Sequence, residues 1–188
     1  MTSARLRALL EERGALLRGH FRLSSGRHSD RFIAKFRILE DPALLEPVSR
    51  AIAQQFRAYE PTVVVGAAVG GILLAYEVAR QLGTTAIFVE KERGIPALRR
   101  GFTLAPQDRV LVVEDVVTTG LSVRETFEVV RRYGATIIGL GVIVARGDVA
   151  ADVPTHVLLD LPLRSYDERE CPQCRAGEPV TDPGSRRA

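Results

Sequence analysis

The sequence of 188 residues lacks the features that would place it in a membrane or outside the cell. Its longest uncharged stretch, residues 61–76, is too short and too rich in glycine to span a bilayer. Residues 1–10 carry arginines and no apolar core of the kind that signal peptides contain. We therefore expect no membrane association, no export signal and a cytoplasmic protein.

Lysine is almost absent, and two common nucleotide-binding patterns are missing altogether. Only Lys35 and Lys91 are lysines among 26 basic residues, which makes these two positions candidates for a functional role. The chain contains neither GxxxxGK[ST] nor GxGxxG, which excludes a Walker-type loop and a dinucleotide fingerprint. A net charge of +3 is small and gives little support for nucleic-acid binding, so we expect none.

One stretch, VLVVEDVVTTGLS at residues 110–122, stands out. Its apolar start, residues 110–113, is typical of a strand buried in a parallel sheet. Ser122 and Glu125 have the spacing of a capping box, which predicts a helix from Ser122 to about Tyr133. The intervening loop is therefore expected at the carboxyl end of a strand, where open α/β sheets bind ligands.

The residues of this loop suit a phosphorylated sugar. Backbone N–H groups at the start of a helix bind phosphate, and threonine and serine hydroxyls add donors. The preceding carboxylates, Glu114 and Asp115, can accept hydrogen bonds from neighbouring sugar hydroxyls or hold hydrated Mg²⁺. Phosphate on one side and a diol on the other describe a ribose 5-phosphate.

The same stretch resembles the phosphoribosyl-pyrophosphate (PRPP) signature of type I phosphoribosyltransferases. The resemblance implies an α/β fold in which helices flank a central, mostly parallel sheet, with a small N-terminal hood. It also implies Mg²⁺ as cofactor, bound mainly through PRPP with Glu114 or Asp115 as a further ligand. The alternative is that this stretch is an ordinary strand, turn and helix with acidic residues at the end of the strand and no role in binding. The implied PRPP-binding residues of this stretch are Glu114, Asp115, Val116, Val117, Thr118, Thr119, Gly120, Leu121 and Ser122.

A second resemblance lies near the N-terminus. Residues 19–33 have the alternation and Ser-Ser-Gly turn that predict strand, turn and strand, and they resemble the N-terminal signature of orotate phosphoribosyltransferases. That signature implies that backbone around Phe32 and Ile33 contacts orotate. Many members have a lysine where this chain has Ser24, and Lys35 and Arg27 are candidate replacements. His28 by itself indicates a structural or surface histidine.

The resemblance also implies functional roles for two further segments. Residues 66–71 join a predicted strand to a predicted helix, and the family's pyrophosphate loop would place contacts at Ala68, Val69 and Gly70. Alone, this glycine-rich segment indicates only a tight turn. The second segment, residues 90–102, is charged and interrupts the α/β alternation, which predicts a mobile functional loop or a β-arm.

The charged segment resembles the family's flexible catalytic loop, although it is shorter and lacks the Lys-x-x-Lys-x-His pattern. Lys91 and Arg93, with Asp115, are the implied catalytic residues, while Arg99 and Arg100 add charge that can stabilise departing pyrophosphate. In the family this loop reaches into the neighbouring subunit, so a homodimer with shared active sites is expected. A solvated charged hairpin is the alternative.

The base-binding residues are expected beside the central motif. Arg146 follows a predicted strand at residues 136–144, and an arginine can bind a carboxylate through two parallel hydrogen bonds. The resemblance assigns Arg146 to the carboxylate of orotate and Thr118 to its ring. The implied reaction converts orotate and PRPP into orotidine 5′-monophosphate and pyrophosphate, in pyrimidine biosynthesis.

Residues 1–165 are predicted to form one phosphoribosyltransferase domain with its hood at about residues 15–40, followed by a polar tail, residues 166–188. Cys171 and Cys174 of the tail make half a zinc site, and no local second pair completes it. A pair from each subunit of a dimer, an intrachain disulfide and reduced thiols stay open. Two rivals for the function also stay open: transfer to a purine or other base, and a PRPP-binding regulatory module.

Overall fold

The computed structural model describes residues 1–23 and 25–183. The expectation about Ser24 therefore lies outside the described residues. The chain begins with helix α1 (Ser3–Glu12), followed by a two-stranded antiparallel sheet of β1 (Leu16–Arg22) and β2 (His28–Ile33). This sheet confirms the strand, turn and strand predicted for the hood.

A six-stranded sheet forms the centre of the molecule. Its spatial order is β5-β4-β3-β6-β7-β8, and all neighbours are parallel except the antiparallel pair β4 and β5. The predicted central, mostly parallel sheet is thus confirmed. The strands are β3 (Val63–Ala67), β4 (Thr85–Glu92), β5 (Ile95–Leu98), β6 (Arg109–Val117), β7 (Thr136–Ala145) and β8 (Thr155–Asp160).

Helices cover both faces of this sheet, which explains why its inner strands are apolar throughout. On one face, α3 (Pro42–Phe56) and α4 (Gly70–Leu82) pack with Leu111 and Val113 of β6. On the other face, α5 (Leu121–Arg132) packs with the alternate residues Val110 and Val112. The short helix α2 (Phe36–Leu39) joins the hood to α3. No described helix is both long enough and apolar enough to cross a membrane.

The start of α5 differs from the prediction. The helix is capped at Gly120, whose φ is +70°, and no side chain caps it. The predicted capping box of Ser122 and Glu125 is therefore wrong. Both side chains have stronger electrostatic partners: the Ser122 hydroxyl donates to the buried carboxylate of Glu114, and Glu125 pairs with Lys91.

The charged segment at residues 90–102 forms a β-arm, the second of the two predicted alternatives. Strands β4 and β5 join through Arg93 and Gly94, whose φ angles are +50° and +84°. Positive φ at both central residues is typical of the two-residue turn that best matches the twist of a hairpin. Arg93 therefore lies at the tip of the arm and Lys91 on the strand leading to it.

The C-terminal segment folds back on the hood. Its short elements are a 3-10 turn at Glu168–Glu170 and helix α6 (Pro172–Arg175). Backbone N–H groups of His28 and Tyr166 donate to each other's carbonyls at 2.8 Å, and Arg22 N–H donates to the carbonyl of Thr181 at 2.9 Å. The segment that follows residue 165 is therefore joined to β1 and β2 by main-chain hydrogen bonds.

Candidate active site

Two buried carboxylates lie near the carboxyl end of β6. Glu114 and Asp115 are 5% and 2% exposed, and the strand pairs with β7 on both sides of them. The Ser122 hydroxyl donates to Glu114 Oε2 at 2.6 Å, and the Asp115 N–H donates to Glu114 Oε1 at 3.2 Å. The predicted acidic pair is therefore a fixed part of the sheet, and its side chains are oriented by the loop that follows.

Burial changes the acidity of Glu114. Burial, and after it the neighbouring charge of Asp115, together raise the pKa of this carboxyl from 4.5 to about 7. The hydrogen bond from Ser122 and the charge of Lys35 oppose this rise. In the free protein near neutral pH, the pair therefore carries less than two full negative charges.

The pKa of Glu114 predicts how stability depends on pH. Because the folded-state pKa lies above the ordinary value, the stabilisation it contributes is complete below pH 4.5 and is lost as pH rises to about 7. The loss amounts to about 3 kcal/mol. The free energy of unfolding of Glu114→Gln minus that of wild type should therefore rise between pH 4.5 and 7. A pH-independent effect of the substitution would shift the whole curve but leave this rise unchanged.

Urea unfolding of the ligand-free protein at several pH values checks this prediction. Glu128→Gln is the matched control, because the Glu128 side chain is 64% exposed. Parallel pH profiles for wild type and Glu114→Gln would contradict it.

Lys35 is a site residue that sequence reasoning did not place at the PRPP motif. Its ammonium donates to Asp115 Oδ1 at 3.0 Å and lies 2.8 Å from Oδ2, which accepts no hydrogen bond of good geometry. Lys35 follows β2 closely, so the hood ends beside the acidic pair. The early signals were that the chain contains just two lysines and that Lys35 was a candidate replacement for the family lysine.

The other candidate replacement for the family lysine, Arg27, does not point into this site. Its guanidinium donates to the hydroxyl and carbonyl of Ser165 and to the carboxylate of Asp167. It therefore connects the hood to the C-terminal segment.

The acidic pair fits a hydrated Mg²⁺. Carboxylate oxygens are the ligands that this ion prefers, and it retains waters when only one or two are offered. Within the described residues, the buried Oδ2 of Asp115 accepts no hydrogen bond of good geometry, and a cation or its bound water would share this oxygen with Lys35, whose Nζ lies 2.8 Å away. Asp115 and Glu114 are the residues that would hold the ion together with a phosphorylated substrate.

The loop after β6 has the form of a phosphate site. Thr118, Thr119 and Leu121 are exposed, and the loop leads directly into the first turn of α5. The positive end of the helix dipole and unpaired N–H groups are expected there. Arg124, which was not predicted, adds a guanidinium that donates to the Thr119 carbonyl at 2.8 Å.

The second predicted loop meets the first. The peptide bond between Ala68 and Val69 is cis, and α4 begins at Gly70. A Cβ atom at Gly70 would overlap the carboxylate of Asp115, so glycine is what lets this loop approach the acidic pair. Residues 68–70 and the central motif therefore form one continuous surface.

Arg146 lies at the end of β7, next to the phosphate loop. Its backbone N–H donates to the carbonyl of Val117 at 2.9 Å. The side chain is half-buried, burial lowers the pKa of its guanidinium, and within the described residues its buried Nε has no acceptor. An unpaired buried donor is costly, so the position suits an anionic ligand.

The predicted hood contacts are less direct. The side chain of Ile33 is buried in the core, and Phe32 packs on Phe21 with ring centroids 5.8 Å apart. What these two residues can offer a ligand is therefore mainly backbone, as the resemblance implies.

The basic residues of the β-arm differ in their partners. Lys91 Nζ lies 2.7 Å from Glu125 Oε1, at the first turns of α5. Arg99 pairs with Glu92, and Arg100 pairs with Glu90. Within residues 1–23 and 25–183, Arg93 makes no ion pair, so the arm carries one free guanidinium at its tip.

Comparison with known proteins identifies the family. Residues 37–158 match the family described as "Phosphoribosyl transferase domain". The chain is 47% identical over 189 aligned positions to the orotate phosphoribosyltransferase of Pelotomaculum thermopropionicum, with 100% of each chain covered. The chain belongs to the orotate phosphoribosyltransferase family.

Further relatives agree with this family. The orotate phosphoribosyltransferase of Thermotoga maritima is 45% identical, covering 96% of this chain and 98% of the relative. The crystal structure of orotate phosphoribosyltransferase from Aeropyrum pernix superposes with a TM-score of 0.68 and 32% identity, over 83% of this chain and 93% of that one. The resemblance of the central motif to the phosphoribosyltransferase signature is thus confirmed.

Proposed function

We propose that this member of the orotate phosphoribosyltransferase family transfers the phosphoribosyl group of PRPP to orotate, giving orotidine 5′-monophosphate and pyrophosphate. The observation that carries the choice of base is Arg146: its side chain is half-buried beside the loop before α5, and among residues 1–23 and 25–183 its buried Nε has no acceptor. Orotate carries a carboxylate that can pair with it, and purine bases carry none.

PRPP is proposed to bind across the two loops. The 5-phosphate meets the N–H groups and hydroxyls of residues 118–122, and the two ribose hydroxyls meet Glu114 and Asp115. Residues 68–70 lie against the pyrophosphate. Gly70, at the start of α4, lies against Asp115 of β6. The segments proposed to hold the two ends of PRPP are therefore in contact and cannot move independently.

The chain's own residues then align the reacting atoms. Cleavage of the bond between ribose C1 and pyrophosphate leaves C1 with oxocarbenium character, and the N1 of orotate forms the new bond from the opposite side. Asp115 and Glu114 lie where negative charge stabilises the electron-poor ribose. Mg²⁺, when bound, supplies positive charge to the pyrophosphate. Fixing both substrates aligns C1 and N1 for reaction, and the proton of N1 passes to departing pyrophosphate or to water as the new bond forms.

The proposed activity is tested by following the ultraviolet absorbance of orotate with PRPP and Mg²⁺. We expect loss of absorbance that requires all three components, with adenine, guanine and hypoxanthine unreactive. Turnover of a purine instead would support transfer to another base. PRPP binding without turnover of any base would support the regulatory module.

Lys91 is proposed to leave Glu125 and neutralise pyrophosphate as it departs. Lys91→Ala should therefore lower kcat at least about 100-fold with a smaller change in KM, because charge on pyrophosphate grows in the transition state. Steady-state kinetics measure both constants. Arg132→Ala is the control, since that side chain is 62% exposed at the far end of α5. A change confined to KM would contradict this role.

A homodimer with shared sites is the proposed assembly. An apolar stripe beside the pyrophosphate loop supports it: Val69, Leu73 and Tyr76 are 69%, 45% and 65% exposed along one side of α4. If the arm serves the partner's site, mixing equal amounts of Lys91→Ala and Arg146→Ala should restore activity. Random pairing makes half of the dimers mixed, each with one intact site, so about a quarter of wild-type activity is expected. No recovery on exchange of subunits would place Lys91 in its own chain's site.

A further inference from the structure

Four metal-binding side chains meet where the C-terminal segment crosses the hood. His20 and His28 belong to β1 and β2, Cys171 directly precedes α6, and Cys174 lies within α6. One ligand atom from each lies within 4.8 Å of all the others. The two cysteines, left open as a pair shared across a dimer, a disulfide or reduced thiols, thus lie beside two histidines of the same chain. His28 is buried in this cluster and does not lie on the surface.

The separations approach those of a tetrahedral zinc site. His20 Nε2 lies 2.9 Å from His28 Nδ1 and 3.4 and 3.6 Å from the sulfurs of Cys171 and Cys174, and Cys174 Sγ lies 3.2 Å from His28 Nδ1. With Zn–N near 2.0–2.1 Å and Zn–S near 2.3 Å, a tetrahedron has N–N edges of about 3.3 Å and S–N edges of about 3.6 Å. These four separations lie within about 0.4 Å of those edges, and all separations in the cluster are at most 4.8 Å.

A hydrogen bond to the ring of His20 fixes the tautomer that a metal ligand requires. Its other ring nitrogen, Nδ1, lies 2.9 Å from the carbonyl oxygen of Glu178. A carbonyl only accepts, so Nδ1 carries the proton and Nε2 turns its lone pair toward the two cysteines. Metal-binding histidines typically have such a partner on the second nitrogen, because it sets the tautomer and the ring orientation.

The ligand set and its burial favour zinc. Two thiolates and two imidazoles form a closed tetrahedral set with no place for a substrate, as in structural zinc sites. Cys171 is fully buried, and His20 and His28 are 4% and 1% exposed. We propose that His20, His28, Cys171 and Cys174 form a structural Zn²⁺ site that fastens the C-terminal segment to the hood.

The C-terminal segment needs such a fastening. Cys171 is the one side chain of residues 165–183 that is fully buried, and most others in that range are exposed. So small an apolar contribution does not offset the entropy of ordering the segment, and bound metal commonly supplies the difference. Zinc binding takes up both thiols as thiolates, releases their protons and adds its binding free energy to folding.

The test begins with the metal content of the full-length protein without an affinity tag. Elemental mass spectrometry should find about one zinc per chain. Cys174→Ser should lose at least nine-tenths of it, whereas His156→Asn, which changes the third histidine of the chain, should keep it. Chelated wild-type protein supplied with Co²⁺ alone should show the ligand-field and thiolate charge-transfer bands of a tetrahedral cobalt site.

Removing the metal should also free the segment. Trypsin can cut after Arg164, Arg169 and Arg175, and chelation should speed these cuts more than about tenfold, with full recovery when Zn²⁺ is restored. The melting temperature should fall by about 10 °C. These measurements on wild type stand even if Cys174→Ser does not fold.

Two results would overturn the proposal. One is wild-type protein that holds substoichiometric metal and, when denatured without reductant, shows no thiols that react with a thiol reagent. That result would indicate a disulfide between Cys171 and Cys174. The other is a Cys174→Ser variant that retains as much zinc as wild type, which would indicate that the metal binds elsewhere.

Discussion

Arg146→Ala should lower kcat/KM for orotate about 1,000-fold, a loss of about 4 kcal/mol in transition-state stabilisation. The side chain is half-buried with an unpaired Nε, and burial lowers the pKa of its guanidinium. Pairing with a carboxylate offsets that unfavourable environment, so the interaction is worth more than an exposed ion pair.

The loss should be specific to orotate. Affinity for PRPP should change less than threefold, because Arg146 contacts the end of β6 through a backbone hydrogen bond to Val117 that the substitution keeps. Arg146→Lys should recover little activity, since an ammonium cannot form two parallel hydrogen bonds. Arg132→Ala is the control, because its side chain is 62% exposed at the far end of α5. Steady-state kinetics with each substrate varied measure these effects, and an equal loss of PRPP affinity would refute the assignment.

Gly70→Ala should weaken PRPP binding at least about 100-fold, or about 3 kcal/mol. The added methyl group would overlap the carboxylate of Asp115 and come within 3.1 Å of Lys35 Nζ. Asp115 is 2% exposed and its Oδ1 accepts from the N–H of Val116 at 2.6 Å, so it cannot move away without losing that bond. The two loops proposed to bind PRPP would separate.

Gly147→Ala is the matched control for this substitution. A Cβ atom there meets nothing closer than the Thr118 carbonyl oxygen at 3.9 Å, which is ordinary contact. Isothermal titration with PRPP and Mg²⁺ measures both affinities, and thermal melting shows whether each variant is folded. Unchanged PRPP affinity in a folded Gly70→Ala protein would contradict the proposed geometry.

The local predictions that rested on periodicity were confirmed. The apolar run at residues 110–113 and the β-branched run before Gly66 form buried neighbouring strands, because only a sheet covered on both faces hides such runs. The turn-rich segment at residues 19–33 forms a hairpin. In each case the residues within the segment were enough to predict its secondary structure, so no contact with a distant part of the chain was needed.

The predictions that failed or stayed incomplete depended on partners far away in sequence. Ser122 and Glu125 have the spacing of a capping box, but Glu114 and Lys91 bind them more strongly through charge. Arg27 and Lys35 looked equivalent as basic residues near the hood, yet one turns to Ser165 and the other to Asp115. Sequence spacing does not report such competition.

The sequence by itself determined the parallel sheet, the acidic strand end, the loop that leads into α5 and the arginine beyond the next strand, because each is a contiguous pattern with one stable local structure. Only the tertiary structure decided which groups meet: Lys35 on Asp115, Gly70 beneath it, and two histidines around Cys171 and Cys174. Residues 20 and 171 are brought together by main-chain pairing between the C-terminal segment and the hood. Contacts of that range depend on the packing of the whole chain, which no local pattern specifies.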